Sequence, residues 1–304
     1  MKSRTTRAVP KINLILKIEG RRGDGFHDIS TVFLPLDSPT DEVEISTAEK
    51  GIEIESDSDA VPLDGRNLCH KAAALFAEKA GISPEWKIRI AKNIPVAAGL
   101  GGGSADAAAV LNLLNEALGG PLSDAELAET ALEIGSDVPF LLNPRPAVGR
   151  GRGEKLEPLE TTRAIHAVVL NPKFPVSTRW AYGNAVPTGV PFPDPAEIAR
   201  AIDSMDFRPL TIPSGDAAGI LQNDLAPAVF RKFPIMGMLS DALGKTAPAA
   251  VGMSGSGPTI FALYPDRASA ETAASAVEDG FQRAAALFLS RITPKRTPFR
   301  DRAY

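Results

Sequence analysis

Pro95-Val96-Ala97-Ala98-Gly99-Leu100-Gly101-Gly102-Gly103-Ser104-Ala105 runs directly into an alanine-rich stretch that reads as a helix from about Ser104 to Leu118. Three consecutive glycines carry no Cβ atoms, so main-chain N–H groups can approach a ligand closely. A helix starting at the end of such a loop adds free N–H groups and the positive end of its dipole, and the combination suits a phosphate. Ser104 can cap that helix or donate to a phosphate oxygen. No Gly-Lys-Ser/Thr follows, so this is not the lysine-bearing phosphate loop. Serine stands at 104 where the dinucleotide-binding pattern would place a third glycine. The bland alternative, a flexible turn before a helix, does not need three glycines flush against the helix start.

Upstream, the chain reads as strands. Ile12, Leu14, Leu16 and Ile18 alternate with Asn13, Ile15, Lys17 and Glu19, a period of two. Residues 20–25 form a turn rich in glycine and charge, and an extended apolar pattern resumes at Ile29–Leu36. Val43/Ile45 and Ile52/Ile54 alternate with polar residues. Asn67 is placed to cap a helix over Leu68–Ala80, with Gly81 as its stop. A strand covers Lys87–Ala91. Downstream of the glycine loop, Ser123 and Glu126 predict a capping box for a helix reaching Ile134, with Gly135 as its stop.

Residues 143–160 are rich in proline, glycine and charge and predict a boundary between an N-terminal domain, 1–160, and a C-terminal domain, 161–304. Beyond it, Ala164–Leu170 reads as a strand, Pro187–Pro195 as a loop, Pro248–Tyr264 as a loop and strand around a second glycine cluster, and Ala268–Arg291 as one alanine-rich helix. The basic tail, 292–304, is expected to be poorly ordered.

Composition narrows the function. With 304 residues, 44% of them hydrophobic, the chain has material for two lobes. A net charge of −4 and a pI of about 5.6 argue against a nucleic-acid partner, which would select basic faces. Cys69 is the single cysteine, so no internal disulfide forms, which fits a reducing compartment. No apolar run approaches the roughly 20 residues of a membrane span, and the basic start (Lys2, Arg4, Arg7) has no apolar signal-peptide stretch behind it. The expectation is a cytoplasmic chain without membrane partners, a monomer or weak homodimer.

The glycine loop resembles the nucleotide loop of the GHMP kinases, the family of galactokinase, homoserine kinase and mevalonate kinase. Pro95, Gly99, Leu100, Gly101, Ser104 and Ala105 match its pattern, and the resemblance implies that residues 95–105 bind ATP. Gly252-Met253-Ser254-Gly255-Ser256-Gly257-Pro258-Thr259-Ile260-Phe261-Ala262 is similar to the third motif of that family. Val9-Pro10-Lys11-Ile12-Asn13-Leu14 and Gly23-Asp24-Gly25-Phe26-His27 resemble blocks of the diphosphocytidyl-methylerythritol kinases within it, with valine for alanine at 9 and phenylalanine for tyrosine at 26. Leu221–Leu225 resembles a further block, read as structural. The resemblance implies an α+β, two-domain GHMP kinase fold with the active site between the lobes.

It also implies roles. Phe26 would stack on cytosine and His27 would bond its edge; the alternative for His27 is an exposed turn histidine. In Val176–Tyr182, Tyr182, four residues after Thr178, would cover the other face of the base, with Trp180 a local rival; Thr178 is a further substrate-binding candidate. Asp137, in Ile134-Gly135-Ser136-Asp137-Val138-Pro139, resembles the catalytic aspartate. A positioned carboxylate can take the proton of an alcohol, an effect typically worth about 10²–10⁴ in rate, although an aspartate between Gly135 and Pro139 also suits a helix cap. Lys11 is unusual in an apolar strand, because burying an ammonium is costly unless it is paired. Pairing with Asp137 would justify it; a strand-edge surface lysine is the plain alternative. Asn13 lies two residues on, on the same strand face, and would help hold the acceptor. The implied reaction moves the γ-phosphoryl group of ATP to the 2-hydroxyl of a cytidine diphosphate-linked methylerythritol, a small-molecule substrate. Mg²⁺ is expected with the nucleotide, and no sequence cluster marks a metal site. The rivals are a GHMP kinase with another acceptor, and a nucleotide-binding module without chemistry.

Overall fold

The structure, a computed structural model, describes residues 2–212, 220–281 and 284–294. Its strands form three sheets among those residues. The first joins β1 (Arg4–Ala8), β4 (Asp41–Thr47), β6 (Glu85–Ala91) and β5 (Gly51–Ser56) in that order. The second joins β2 (Lys11–Arg21), β3 (His27–Pro35), β7 (Ala147–Gly151) and β8 (Lys155–Pro158). The third runs β10 (Thr211–Ile212), β11 (Ile220–Leu221), β12 (Ala250–Met253), β13 (Ile260–Tyr264), β9 (Ile165–Asn171) and β14 (Ala286–Ile292).

Helices α1 (Leu68–Ala80), α2 (Gly102–Ala117), α3 (Asp124–Ile134) and α4 (Val138–Leu142) cover the first sheet. Val43, Ile45, Ile88 and Ile90 meet Phe76, Val110, Leu114 and Phe140 in one buried cluster. Local chemistry sets the helix ends. Asn67 accepts from the Cys69 N–H and Gly81 closes α1 at φ 66°; Ser123 and Glu126 form a reciprocal capping box on α3. The third sheet is buried on both faces. Ala167 and Val169 of β9 pack with Ile12, Leu14, Leu34 and Leu100. Val168 and Leu170 pack on the other side with α7 (Ala226–Lys232), α8 (Ile235–Gly244) and α9 (Arg267–Phe281). The remaining helices, α5 (Thr178–Gly183) and α6 (Pro195–Ser204), follow β9 in the chain.

Two expectations change. The 268–291 stretch is not one helix: α9 ends at Phe281, and β14 pairs antiparallel with β9, Leu287 opposite Leu170 and Ile292 opposite Ile165. Alanine content carries the helix, but β9 offers an unpaired row of backbone groups that a strand satisfies and a helix cannot. The proline- and glycine-rich 143–160 stretch contains the β7–β8 hairpin, seated on β3. Its glycines serve packing and turning: a Cβ at Gly149 would lie 2.7 Å from Phe33 Cε2, and Gly151 and Gly153 take φ of 71° and 109°. The 160/161 division falls between β8 and β9. Finally, α2 begins two residues before Ser104, with Gly101 (φ 71°) in the cap position and no side-chain cap, so the capping role open to Ser104 falls away. Of the tail expected to be poorly ordered, 292–304, Ile292 is the last residue of β14 and pairs with Ile165, while 295–304 lie outside the described residues. Among the described residues no helix is long and apolar enough to cross a membrane.

Candidate active site

β2 is the element from which the site is built. Its first residues run beneath the glycine loop: the Lys11 N–H donates to the Leu100 carbonyl at 3.0 Å. Lys11 is 3% exposed, so its ammonium must be compensated. Three oxygens do this: Asn13 Oδ1 at 2.6 Å, the Gly99 carbonyl at 3.2 Å and Asp137 Oδ2 at 3.3 Å. Asn13 is oriented in turn by Thr31 Oγ1, which accepts from its amide at 2.8 Å and itself donates to the Ile15 carbonyl at 2.7 Å.

The second glycine cluster locks the loop from the other lobe. Ser254 Oγ donates to the Gly99 carbonyl at 2.8 Å and accepts from the Asn13 N–H at 3.2 Å. Gly99 takes φ +77°, and a Cβ there would fall 2.2 Å from the Ser254 carbonyl oxygen. Asn223 holds this second cluster by donating to the Met253 and Gly255 carbonyls at 2.8 and 2.9 Å. The block at 221–225 is thus structural in its contacts, and it also joins β2, through paired backbone bonds between Leu16 and Gln222 and between Leu16 and Asp224.

These groups open onto one cavity of ≈ 1090 Å³. Ala97, Ala98, Gly99, Gly101, Gly102, Gly103 and Ser104 line one part of it; Lys11, Asn13 and Asp137 line the middle; Phe26, His27, Thr178 and Tyr182 line the rest. Pro95, Val96, Leu100 and Ala105 are not on its wall. Leu100 and Ala105 turn their side chains into the core, and Val96 is half exposed. Asp137 does occupy the residue before α4, yet its carboxylate makes no capping bond; it pairs with Lys11 instead.

At the far end, Tyr182 stacks on His27, ring centroids 5.2 Å apart. Burial, and secondarily the charge of Asp137, pushes the Tyr182 hydroxyl pKa up, so it stays a neutral phenol. Its neighbour Trp180 points elsewhere, edge-on to Phe233 at 6.3 Å with Lys232 over its ring at 3.9 Å. Thr178 Oγ1 and Ser256 Oγ lie 3.1 Å apart. The Phe26 turn is fixed by Asp24, which accepts from the Phe26 N–H at 3.0 Å; that bond leads the causes holding its carboxyl below the usual range.

Arg152, Ser136, Ser254, Gly255 and Ser256 also belong to the site. The last three fall in the glycine cluster already singled out, whose similarity to the third GHMP motif was the available signal. Arg152 sits in the hairpin within the stretch whose composition suggested a domain boundary, so no periodicity pointed to it. Among the described residues no cluster of three acidic, histidine or cysteine side chains could hold a metal.

A phosphate-sized glycine cradle, a buried lysine and a carboxylate facing the same cavity define an ATP-using kinase of the GHMP class. The model of the GHMP kinases N-terminal domain matches residues 67–143, and that of the C-terminal domain matches 193–283. The 4-diphosphocytidyl-2-C-methyl-D-erythritol kinase of Geobacter sulfurreducens is 39% identical over 90% of this chain and 94% of its own. That of Geobacter sp. strain M21 is 36% identical over 91% and 95%. A crystal structure of 4-(cytidine 5'-diphospho)-2C-methyl-D-erythritol kinase superposes with a TM-score of 0.77 at 31% identity, covering 95% of this chain and 99% of that one. The chain belongs to the 4-diphosphocytidyl-2-C-methyl-D-erythritol kinase family.

Proposed function

We propose that this chain transfers the γ-phosphoryl group of ATP to the 2-hydroxyl of 4-diphosphocytidyl-2-C-methylerythritol, a step of non-mevalonate isoprenoid precursor synthesis, in the cytoplasm. One observation carries the reading. The Lys11 ammonium bonds at once to the Gly99 carbonyl of the glycine loop and pairs with Asp137, so the phosphate cradle and the carboxylate meet at a single point.

Phosphoryl transfer asks mainly for positioning and charge stabilisation. Main-chain N–H groups at 101–104 and the start of α2 would hold the triphosphate. Asp137 acts as general base, taking the proton of the acceptor hydroxyl as its oxygen attacks the γ-phosphorus; the β–γ bridging oxygen leaves with ADP. Lys11 pairs with that carboxylate and aims it, and Asn13 fixes Lys11. Phe26, His27, Thr178 and Tyr182 take the cytidine end, a stack of aromatic faces with a hydrogen-bonding edge that an acceptor without a base would not need.

Mg²⁺ belongs to this reading as an ion delivered on the nucleotide. The cavity wall offers the Ser104 hydroxyl beside the phosphate cradle, a donor set suited to an ion whose other ligands are phosphate oxygens and water; the ion supplies charge neutralisation.

The test is ADP release by the purified protein with ATP, Mg²⁺ and the cytidine-linked acceptor. Acceptor-dependent release supports the reading. Equal or faster turnover of homoserine or mevalonate, or ATP binding with no acceptor-dependent release, would refute it.

A further inference from the structure

Arg152 spans the two ends of the cavity. It stands in the turn between β7 and β8, where its main-chain N–H donates to Glu154 Oε2 at 2.6 Å and Gly151 and Gly153 give the turn its shape. From this anchored position the guanidinium lies over the Phe26 ring, 3.9 Å from its centroid. Its Nε donates to Ser136 Oγ at 3.1 Å, and Ser136 directly precedes Asp137. One planar cation therefore touches the aromatic platform on one side and the neighbour of the reacting carboxylate on the other.

Its charge is felt at a distance by Asp24 but is held by no direct ion pair. Among the described residues no carboxylate pairs with the Arg152 guanidinium, and no protein acceptor engages its Nη atoms. The contrast with Arg22 in the same region is informative, since Arg22 is committed to Asp24 at 3.0 Å and to Asp28 at 2.9 Å. A half-buried guanidinium without a direct carboxylate partner, its two-pronged edge free on a cavity wall, is suited to an anion that arrives with a ligand; the geometry of that edge matches phosphate oxygens.

The function proposed above, on which this inference rests, says which anion passes this point. The base is held at Phe26 and His27 and the acceptor hydroxyl at Asp137, and the acceptor's diphosphate is the covalent link between those parts. We infer that Arg152 binds the diphosphate of the acceptor through its Nη groups and, by lying on Phe26, couples recognition of the diphosphate to the seating of the base. It is a specificity-determining residue that sets acceptor affinity without moving a proton.

The experiment compares wild type, Arg152→Gln and Arg152→Lys of the full chain, with thermal melts to confirm folding. Steady-state kinetics give KM for each substrate, and competitive inhibition by cytidine and by CDP separates base from diphosphate. In Arg152→Gln, acceptor KM and the CDP inhibition constant should rise by about 10- to 100-fold, the range for a lost charge-assisted contact. ATP KM and the cytidine inhibition constant should stay within about twofold of wild type. Arg152→Lys should recover part of the loss, because it keeps the charge but not the two-pronged edge. Equal weakening of cytidine and CDP would overturn the inference by making Arg152 a mere prop for Phe26, as would an unchanged acceptor KM. If Arg152→Gln does not fold, the lysine variant decides: CDP weakened more than cytidine supports the inference, and equal effects sink it. Failure of wild type to release ADP with the cytidine-linked acceptor would end the functional reading itself, a result visible before any variant is made.

Discussion

Asp137 Oδ2 stands 3.3 Å from Lys11 Nζ, and the two side chains are unequally buried, 33% exposed against 4%. The lysine is committed to the interior and the carboxylate reaches toward the cavity. Asp137→Asn keeps shape and leaves Lys11 its bonds to Asn13 and Gly99, so the fold and ATP affinity should survive. Under the proposed mechanism the loss falls on the proton-accepting role, and kcat should drop by about 10²–10⁴. A kcat near wild type, measured by ADP release, would remove Asp137 as base. Because the aspartate is partly screened by water, the accompanying change in stability should be within about 2 kcal/mol.

The glycine loop separates a backbone requirement from a ligand requirement. Gly99→Ala puts a Cβ at φ +77° and 2.2 Å from a main-chain oxygen of Ser254, which cannot yield without moving β12. It should destabilise by more than about 2 kcal/mol or prevent folding. At Gly103 a Cβ would meet only Leu68 Cδ1, at 3.8 Å. Gly103→Ala should therefore stabilise α2, by up to about 1 kcal/mol. Any rise in its ATP KM would report the approach of the nucleotide rather than the fold. Urea unfolding of both variants checks the contrast, and equal destabilisation would refute it.

Phe26 is 49% exposed, so its ring contributes little to the core and is available to a ligand. Phe26→Ala should leave Tm within a few degrees of wild type and raise acceptor KM by about 5- to 100-fold, the usual range for losing one base–aromatic stack. ATP KM should not move. A variant with normal acceptor KM would place the cytidine elsewhere.

Much of this was legible because local rules and tertiary needs agreed. Asn67, Gly81, Ser123 and Glu126 end their helices as their side-chain chemistry dictates, and the glycine loop stands out by three consecutive glycines set against a helix start. The pairing of Lys11 with Asp137 could be argued from the cost of burying an ammonium. Arg152 could not be found that way. The glycines around it read as punctuation between domains, whereas they are there because β7 lies on Phe33. The strand at 286–292 was hidden for a similar reason: its backbone partners are residues of β9, more than a hundred positions away. The rivalry of Trp180 and Tyr182 was likewise undecidable by spacing, and it is Phe233 and Lys232 that draw Trp180 away from the cavity.

Beneath the glycine loop, Lys92 bonds both Asp41 and Asp106, the latter at 2.7 Å, and all three side chains are buried. Asp41 also accepts from the N–H groups of Asn93 and Ile94 at 2.6 and 2.8 Å, so its negative charge is the better satisfied of the two. Burial first, and then the charge of Asp41, pushes the Asp106 carboxyl up to about 7, against the pull of Lys92. The sign follows from that shift. The folded chain holds the proton up to a pH near 7, whereas the unfolded carboxyl releases it near its ordinary value of 3.8. This contribution to stability is therefore complete below that lower value and is lost as pH rises through the window to about 7. An asparagine cannot titrate and stands in for the protonated form. The stability of Asp106→Asn relative to wild type should thus rise between pH 4 and 7, by at most about 1.4 kcal/mol per pH unit, and level off above pH 8. Urea unfolding of both proteins at several pH values reads the difference directly. A difference that stays flat across this range would mean that Lys92 keeps Asp106 ionised throughout, and that the triad bears a fixed charge of −1 under the nucleotide loop.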